Sequence, residues 1–212
     1  MSLKLFFLIF CWATIISAQP FTIMIDPVGD QEHPGREIYD TFERGLTLQC
    51  AQELKNELIK HIPTIRVILT RSAGESMQPL HHVRFANRLQ PNLYLRLGFY
   101  AEPNMPSHFA LFYYLQHPTD FWHKTCGLQF YRIDQAHLLY LNLTKQFATQ
   151  FLQTLQNNDI NSAFVAHGLF AIPFKPFFGM QVPALYLETG LHKSTDWHYL
   201  IQPIIACIQG II

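Results

Sequence analysis

Short apolar runs rich in β-forming residues alternate along this chain with longer stretches whose apolar residues return about once per helical turn. Phe21 to Ile25 and Ile65 to Leu69 read as strands. Leu46, Cys50, Leu54 and Leu58 recur at every fourth position, which predicts a helix from Asp40 to about Lys60, stopped by His61-Ile62-Pro63. Asp40 is placed to be its N-cap, with Glu43 three residues on closing a capping box. Further strands are predicted at Leu93 to Leu97, Phe109 to Leu115, Phe164 to Ile172 and Pro183 to Leu187. Further helices are predicted at His81 to Leu89, Asp134 to Gln156 and Asp196 to Ile208. The second of these carries Leu139, Leu143, Phe147, Phe151 and Leu155 as its apolar stripe. Asp26 to Tyr39 is dense in Asp, Pro and Gly and reads as a loop, Pro173 to Gly179 as an aromatic loop, and Pro118 to Arg132 has no clean period.

Strands alternating with helices predict an α/β fold, a single domain with a mostly parallel sheet flanked by helices. In such sheets ligands bind at the carboxyl ends of the strands. Asp26, Gly98 and Glu188 each lie at the close of an apolar run, which puts them on one rim if their strands are parallel.

Composition narrows the picture. The chain has 212 residues, 49% apolar, enough for one domain with a sizeable core. Its formal net charge is zero, so nothing in it argues for nucleic acid as a partner. The N-terminus has the layout of an export signal. Lys4 precedes the apolar run Leu5 to Ile16, which is shorter than the ~20 residues of a membrane span, and Ser17-Ala18-Gln19 offers small residues for cleavage after Ala18. The expectation is a signal peptide over residues 1–18 and a folded domain over 19–212, exported to the periplasm or cell envelope, or secreted. Retention of the segment as an anchor is the alternative. Cleavage would leave Cys50, Cys126 and Cys207, an odd number; Cys50 and Cys207 fall at apolar helix positions and are expected to be buried thiols.

Five segments, taken in order, resemble a known family. They are Ile25-Asp26-Pro27-Val28-Gly29-Asp30, Leu69-Thr70-Arg71, Arg84-Phe85-Ala86-Asn87, Asn92-Leu93-Tyr94-Leu95-Arg96-Leu97-Gly98 and Pro183-Ala184-Leu185-Tyr186-Leu187-Glu188-Thr189-Gly190. The chain resembles the zinc-dependent N-acetylmuramoyl-L-alanine amidases of bacterial cell-wall turnover, in which the first of these segments reads D-P-G-H-G and the fourth D-L-F-I-S-I-H. The resemblance covers Phe21 to Leu115 and Gln181 to Ile212, and implies the amidase, phosphorylase/hydrolase-like fold. It also implies zinc held by residues at positions 29, 43 and 98, with position 188 acting on the bound water. Here those positions are Gly29, Glu43, Gly98 and Glu188. The catalytic Glu188 and the ligand Glu43 would be relics, and the other two ligand positions are lost.

The loss bears on the chemistry. Amide hydrolysis near neutral pH uses a zinc with three protein ligands and one open position, which lowers the pKa of bound water to about 7. A carboxylate then moves the proton to the leaving nitrogen. Glycine has no donor atom, so no zinc is expected as a cofactor unless the site has been rebuilt. On this reading Gly29→His together with Gly98→His would return the donors. Asp30 and His33, next to the lost position, are candidate substitute ligands with Glu43 and one more histidine, although no His-x-x-x-His or Glu-x-x-His pair lies on one helix. Glu43 reads equally as a capping-box residue and Glu188 as the cap of the next turn.

Three functions stay open at this point. One is an exported amidase-like domain, catalytically impaired, that binds peptidoglycan or muropeptides or regulates another envelope protein. A second is an active N-acetylmuramoyl-L-alanine amidase with a rearranged metal site. A third is a secreted interaction domain without glycan binding.

Overall fold

The apolar run after residue 20 becomes β1 (Thr22–Pro27), the second strand of a six-stranded sheet. A computed structural model describes residues 19–78, 80–116, 132–157, 159–160 and 162–212. Residues 1–18, read above as an export signal, together with Cys126 and most of Pro118 to Arg132, lie outside the described residues. A two-residue hairpin, β2 (Glu37–Ile38) and β3 (Thr41–Phe42), interrupts the predicted loop and leads into α1 (Glu43–His61). Then follow β4 (Arg66–Leu69), α2 (His81–Leu89), β5 (Leu93–Ala101) and β6 (Ser107–Tyr114). The remainder is α3 (Leu141–Leu155), β7 (Phe164–Ile172), β8 (Ala184–Leu191) and α4 (Ile201–Ile211).

The strand order is β4-β1-β5-β8-β6-β7. β4, β1, β5 and β8 are parallel; β6 pairs antiparallel with β8, and β7 runs parallel to β6. The mostly parallel α/β sheet predicted from the alternation of elements is therefore the observed fold. Both faces are covered, as a parallel sheet requires. Ile23, Ile25, Leu95, Leu97 and Phe99 point to one side, where Leu46, Cys50, Leu54 and Leu58 of α1 meet Phe151 of α3 and Ile204 and Ile208 of α4. Met24, Tyr94 and Tyr186 point to the other, against Val83 and Ala86 of α2 and Phe177 and Met180 from the aromatic loop. Cys50 and Cys207 are free and buried, and burial pushes the Cys207 thiol up to about 12.

Three expectations need correction. The helix expected from Asp134 begins as a 3-10 turn over Ile133–Tyr140, and α3 starts at Leu141. Its buried stripe is Thr144, Ala148, Phe151 and Leu155, while Leu139 and Leu143 are exposed. Leu139 falls in the 3-10 turn, and within α3 strict four-residue spacing drifts by about 40° per step on a helix of 3.6 residues per turn, which carries Leu143 off the side that Phe151 and Leu155 bury. In α1 the members of the stripe, Leu46, Cys50, Leu54 and Leu58, all stay buried.

The second correction concerns the start of α1. Asp40 is exposed, the residue before the helix is Phe42, and no side chain caps it. Loop carbonyls do the work instead: Glu43 N–H donates to the Arg36 carbonyl (2.8 Å) and Arg44 N–H to that of Pro34 (3.0 Å). Two of the helix's unpaired amide donors are thereby satisfied by the folded-back chain, and Glu43 is not part of a capping box.

The third concerns strand length. β5 and β8 run four residues beyond the predicted ends, to Ala101 and Leu191. Gly98 and Glu188 therefore lie inside strands, directly paired with each other, rather than at strand ends.

Candidate functional site

Parallel register puts paired residues on the same face of the sheet. Asp26 pairs with Arg96, Arg96 with Tyr186, Gly98 with Glu188 and Tyr100 with Gly190. Ala110 of β6 pairs with Glu188 from the other side. Asp26, Gly98 and Glu188 thus share one face of the sheet, with Gly98 and Glu188 short of the strand ends expected for them.

At the inner end of this row, Asp26 is buried and forms an ion pair with Arg96. Its carboxylate also accepts a hydrogen bond from Thr70 Oγ1 at 2.5 Å. Burial alone would raise the Asp26 pKa, but the charges of Arg96 and His82 and the Thr70 hydrogen bond outweigh it and hold the group below its ordinary value. Arg71 donates to the carbonyls of Pro27 (3.2 Å) and Arg44 (2.9 Å), pinning the loop after β1 to α1. Asn87 bonds the backbone of Gly179 and Gln181, both at 2.8 Å. These are scaffold roles.

The centre of the row holds Glu43 and Glu188. The Glu43 carboxylate is 2% exposed. Oε1 accepts the backbone N–H of Phe99 at 2.9 Å, and Oε2 accepts both the backbone N–H (3.1 Å) and Nε (3.3 Å) of Arg36. Arg36 then reaches Glu188: Nη2 donates to Oε1 at 2.5 Å and to the Tyr186 hydroxyl at 3.2 Å. Tyr186 donates in turn to the same Glu188 oxygen at 3.0 Å. One guanidinium therefore joins the two carboxylates, with the Tyr100 ring 5.7 Å away on its flank. Burial would lower the Arg36 pKa, but the hydrogen bond to Glu188 and the charge of Glu43 raise it overall, so Arg36 is a permanent cation.

Gly98 and Gly29 have no room for side chains. A Cβ at 98 would stand 2.8 Å from Cε2 of Tyr186. Gly29 has φ +82°, and a Cβ there would meet Arg44 Cβ at 2.8 Å. The zinc that the resemblance implies does not fit these residues. Two of its ligand positions lack donors and space, and the third carboxylate is spent on Arg36 and Phe99. Asp30 and His33 do not replace them. Asp30 Oδ1 accepts the N–H groups of His33 (2.7 Å) and Glu32 (2.9 Å), and Oδ2 that of Met77 (3.2 Å), so Asp30 ties its own loop to the one after β4. Among the described residues, the one group with metal-ligand separations is Glu102, His108 and His167, which excludes both substitutes.

A groove of about 280 Å³ opens over Glu188, lined by Tyr100, Ala110, Phe112, His167 and Phe170. A larger cleft of about 600 Å³ lies between Thr70, Glu75, Arg84 and Arg88, and neither Glu43 nor Glu188 lines it. The smaller groove is the one that carries the chemistry of this row. Sequence reading missed Arg36, which sits in a loop without periodicity. Tyr186 could have been found, because strand alternation places it on the face of Glu188, two residues on.

Solved structures that share this fold include amidases. The catalytic domain of CwlV, an N-acetylmuramoyl-L-alanine amidase from Bacillus (Paenibacillus) polymyxa var. colistinus, is 15% identical over 89% of this chain and 96% of that one, with a TM-score of 0.60. An N-acetylmuramoyl-L-alanine amidase from Clostridium difficile 630 is 17% identical over 91% and 97%, with a TM-score of 0.62. The CwlD amidase from Clostridioides difficile, solved in complex with the GerS lipoprotein, is 15% identical over 90% and 97%, at 0.57. No curated protein matches the chain. The model of the N-acetylmuramoyl-L-alanine amidase family matches residues 23–204, nearly the whole described domain, and the chain belongs to that family.

Proposed function

We propose that this chain is an exported, catalytically silent member of the amidase family that binds peptidoglycan fragments in the groove over Glu188. The observation that carries the reading is Arg36, whose guanidinium joins Glu43 to Glu188. The guanidinium bridges the two carboxylates where a metal ion would, but its single positive charge balances only one of them. It has no exchangeable water, cannot be deprotonated near neutral pH, and offers no open coordination position. The pair can therefore hold its shape without a metal, and loses the means of making a nucleophile.

Magnitudes favour silence. Enzymes lower barriers by roughly 8–23 kcal/mol. A lone general base contributes about 10²–10⁴-fold, and the Glu188 oxygen nearest Arg36 already accepts two hydrogen bonds. Binding makes smaller demands. Tyr100, Phe112 and Phe170 give the groove apolar walls, and His167 and Glu188, the latter paired with Arg36, give it polar points.

A second reading, docking to another envelope protein, is supported by the capture of CwlD with the GerS lipoprotein. One experiment separates the two. The purified protein is mixed with insoluble peptidoglycan, pelleted, and the supernatant is analysed for released L-alanyl peptides. Co-sedimentation without release is expected. Release abolished by Glu188→Gln would overturn catalytic silence, and no co-sedimentation would favour the protein partner.

A further inference from the structure

Three donors stand together at the outer end of the groove, apart from Arg36 and its two carboxylates. Glu102 follows β5, His108 is the second residue of β6, and His167 lies on β7. One ligand atom from each lies within 4.8 Å of the other two.

Strand geometry explains the meeting. Glu102 N–H donates to the Leu191 carbonyl at 2.9 Å, which extends β5 by one residue along β8. Its side chain then folds over Gly190, where a Cβ would stand 2.8 Å from that of Glu102; glycine leaves the room. His108 comes from the strand on the other flank of β8. β7 contributes through a bulge. Phe109 pairs with Ala166 and Ala110 with Gly168, so His167 is an extra residue, and Gly168 takes φ +136° to absorb it. The extra residue stacks its ring on His108, centroids 4.3 Å apart and planes 24° from parallel.

The carboxylate is oriented as well as near. Glu102 Oε2 accepts the backbone N–H of His108 at 2.7 Å, and Oε1 lies 2.7 Å from His108 Nδ1. The second contact holds one shared proton. Exchanging that proton for a metal requires the two atoms to part to roughly 3.3 Å, the edge of a tetrahedron with bonds of 2.0–2.1 Å. Two imidazoles and one carboxylate form a borderline donor set that suits zinc and its neighbours rather than magnesium or calcium. Three protein ligands leave a fourth position for water or for the carboxylate of a ligand in the groove. His167 belongs to both the donor set and the groove wall.

We propose that Glu102, His108 and His167 bind one divalent transition-metal ion, zinc by preference, at the mouth of the groove. The position is distinct from the one the family resemblance implies at 29, 43 and 98. It leaves the Arg36 bridge in place, so the proposal does not rest on catalytic silence.

The test is a metal titration of the purified, chelator-treated protein. Zinc is counted by elemental analysis after desalting, and cobalt(II) is added in its place to read coordination from its visible absorption. One ion per chain with a four-coordinate cobalt spectrum is expected. His167→Ala should weaken binding by at least about tenfold, and so should Glu102→Gln. His167 is exposed, and an unchanged melting temperature of the apo variant verifies its fold. His33→Ala, on the opposite loop, should keep full binding. Wild-type binding no tighter than that of His167→Ala would overturn the site. So would metal lost in His33→Ala and kept in His167→Ala. Zinc-dependent peptide release abolished by His167→Ala would uphold the site while overturning catalytic silence, so the two readings fail separately.

Discussion

The ring of Tyr186 lies over Gly98 and fills the space that a side chain at position 98 would take. Cε2 and Cζ of Tyr186 would stand 2.8 and 2.9 Å from a Cβ at position 98. The restoration expected from sequence, histidine at 29 and 98, is therefore blocked. Gly98→His must expel Tyr186 from its contacts with Arg36 and Glu188. It should cost about 1–3 kcal/mol by overpacking, read as a lowered urea midpoint. Adding Tyr186→Ala should recover part of that loss. A Gly98→His variant as stable as wild type would show that the ring yields freely.

Arg36 is the next test. Arg36→Met leaves the Glu43 carboxylate buried and facing Glu188 with its cation gone. Phe99 N–H and the backbone N–H of residue 36 still reach Glu43, so the loss should be moderate, about 1–3 kcal/mol. Glu43→Gln should cost less in the Arg36→Met background than alone, a coupling that a double-mutant cycle measures. Additive effects would mean that the bridge contributes nothing to stability.

Acid should act through Asp26. Its folded pKa lies below its ordinary value, so its contribution is fully present above the unfolded pKa of about 3.9 and is lost as the pH falls through the depressed folded value. Wild-type unfolding free energy should therefore drop below about pH 4 more steeply than that of Asp26→Asn. At neutral pH the variant leaves Arg96 buried without its partner, at a cost of about 3–5 kcal/mol. Parallel pH profiles would remove Asp26 from the account.

The start of α1 separates two residues that look alike in sequence. Asp40→Ala should change stability by less than about 0.5 kcal/mol, because the side chain is exposed and caps nothing. Glu43→Gln should cost more, through its bonds to Phe99 and Arg36. Thermal melts of the two variants side by side decide it, and a larger loss at Asp40 would restore the N-cap assignment.

What sequence could and could not convey follows from range. The α1 stripe was legible because the apolar period is local and its drift stays within the core-facing arc. The ends of β5 and β8 were not, because Gly98 and Glu188 look like turn chemistry when read singly. Only their pairing across strands shows that a gap and a carboxylate share one site. That Asp26, Gly98 and Glu188 lie close in register was legible, since each follows an apolar run, but Gly98 and Glu188 sit within their strands rather than at the rim. The bond that unites Glu43 with Glu188 comes from a loop residue more than 150 positions away from the latter, and no spacing rule reaches it.

The bulge at His167 has an effect on the sheet as a whole. β7 is an outer strand, nine residues long, with Val165 and Phe170 exposed. A regular strand of that kind invites a second chain to add to it. Among the described residues nothing pairs with the outer edge of β7, and the extra residue interrupts its row of amides and carbonyls partway along, so a straight partner can match one half of the edge but not both. At the opposite edge β4 is only four residues long. The deviation that aims an imidazole at the groove therefore also keeps neighbouring molecules from zipping onto the domain. Deleting residue 167 would remove a donor and open that edge together.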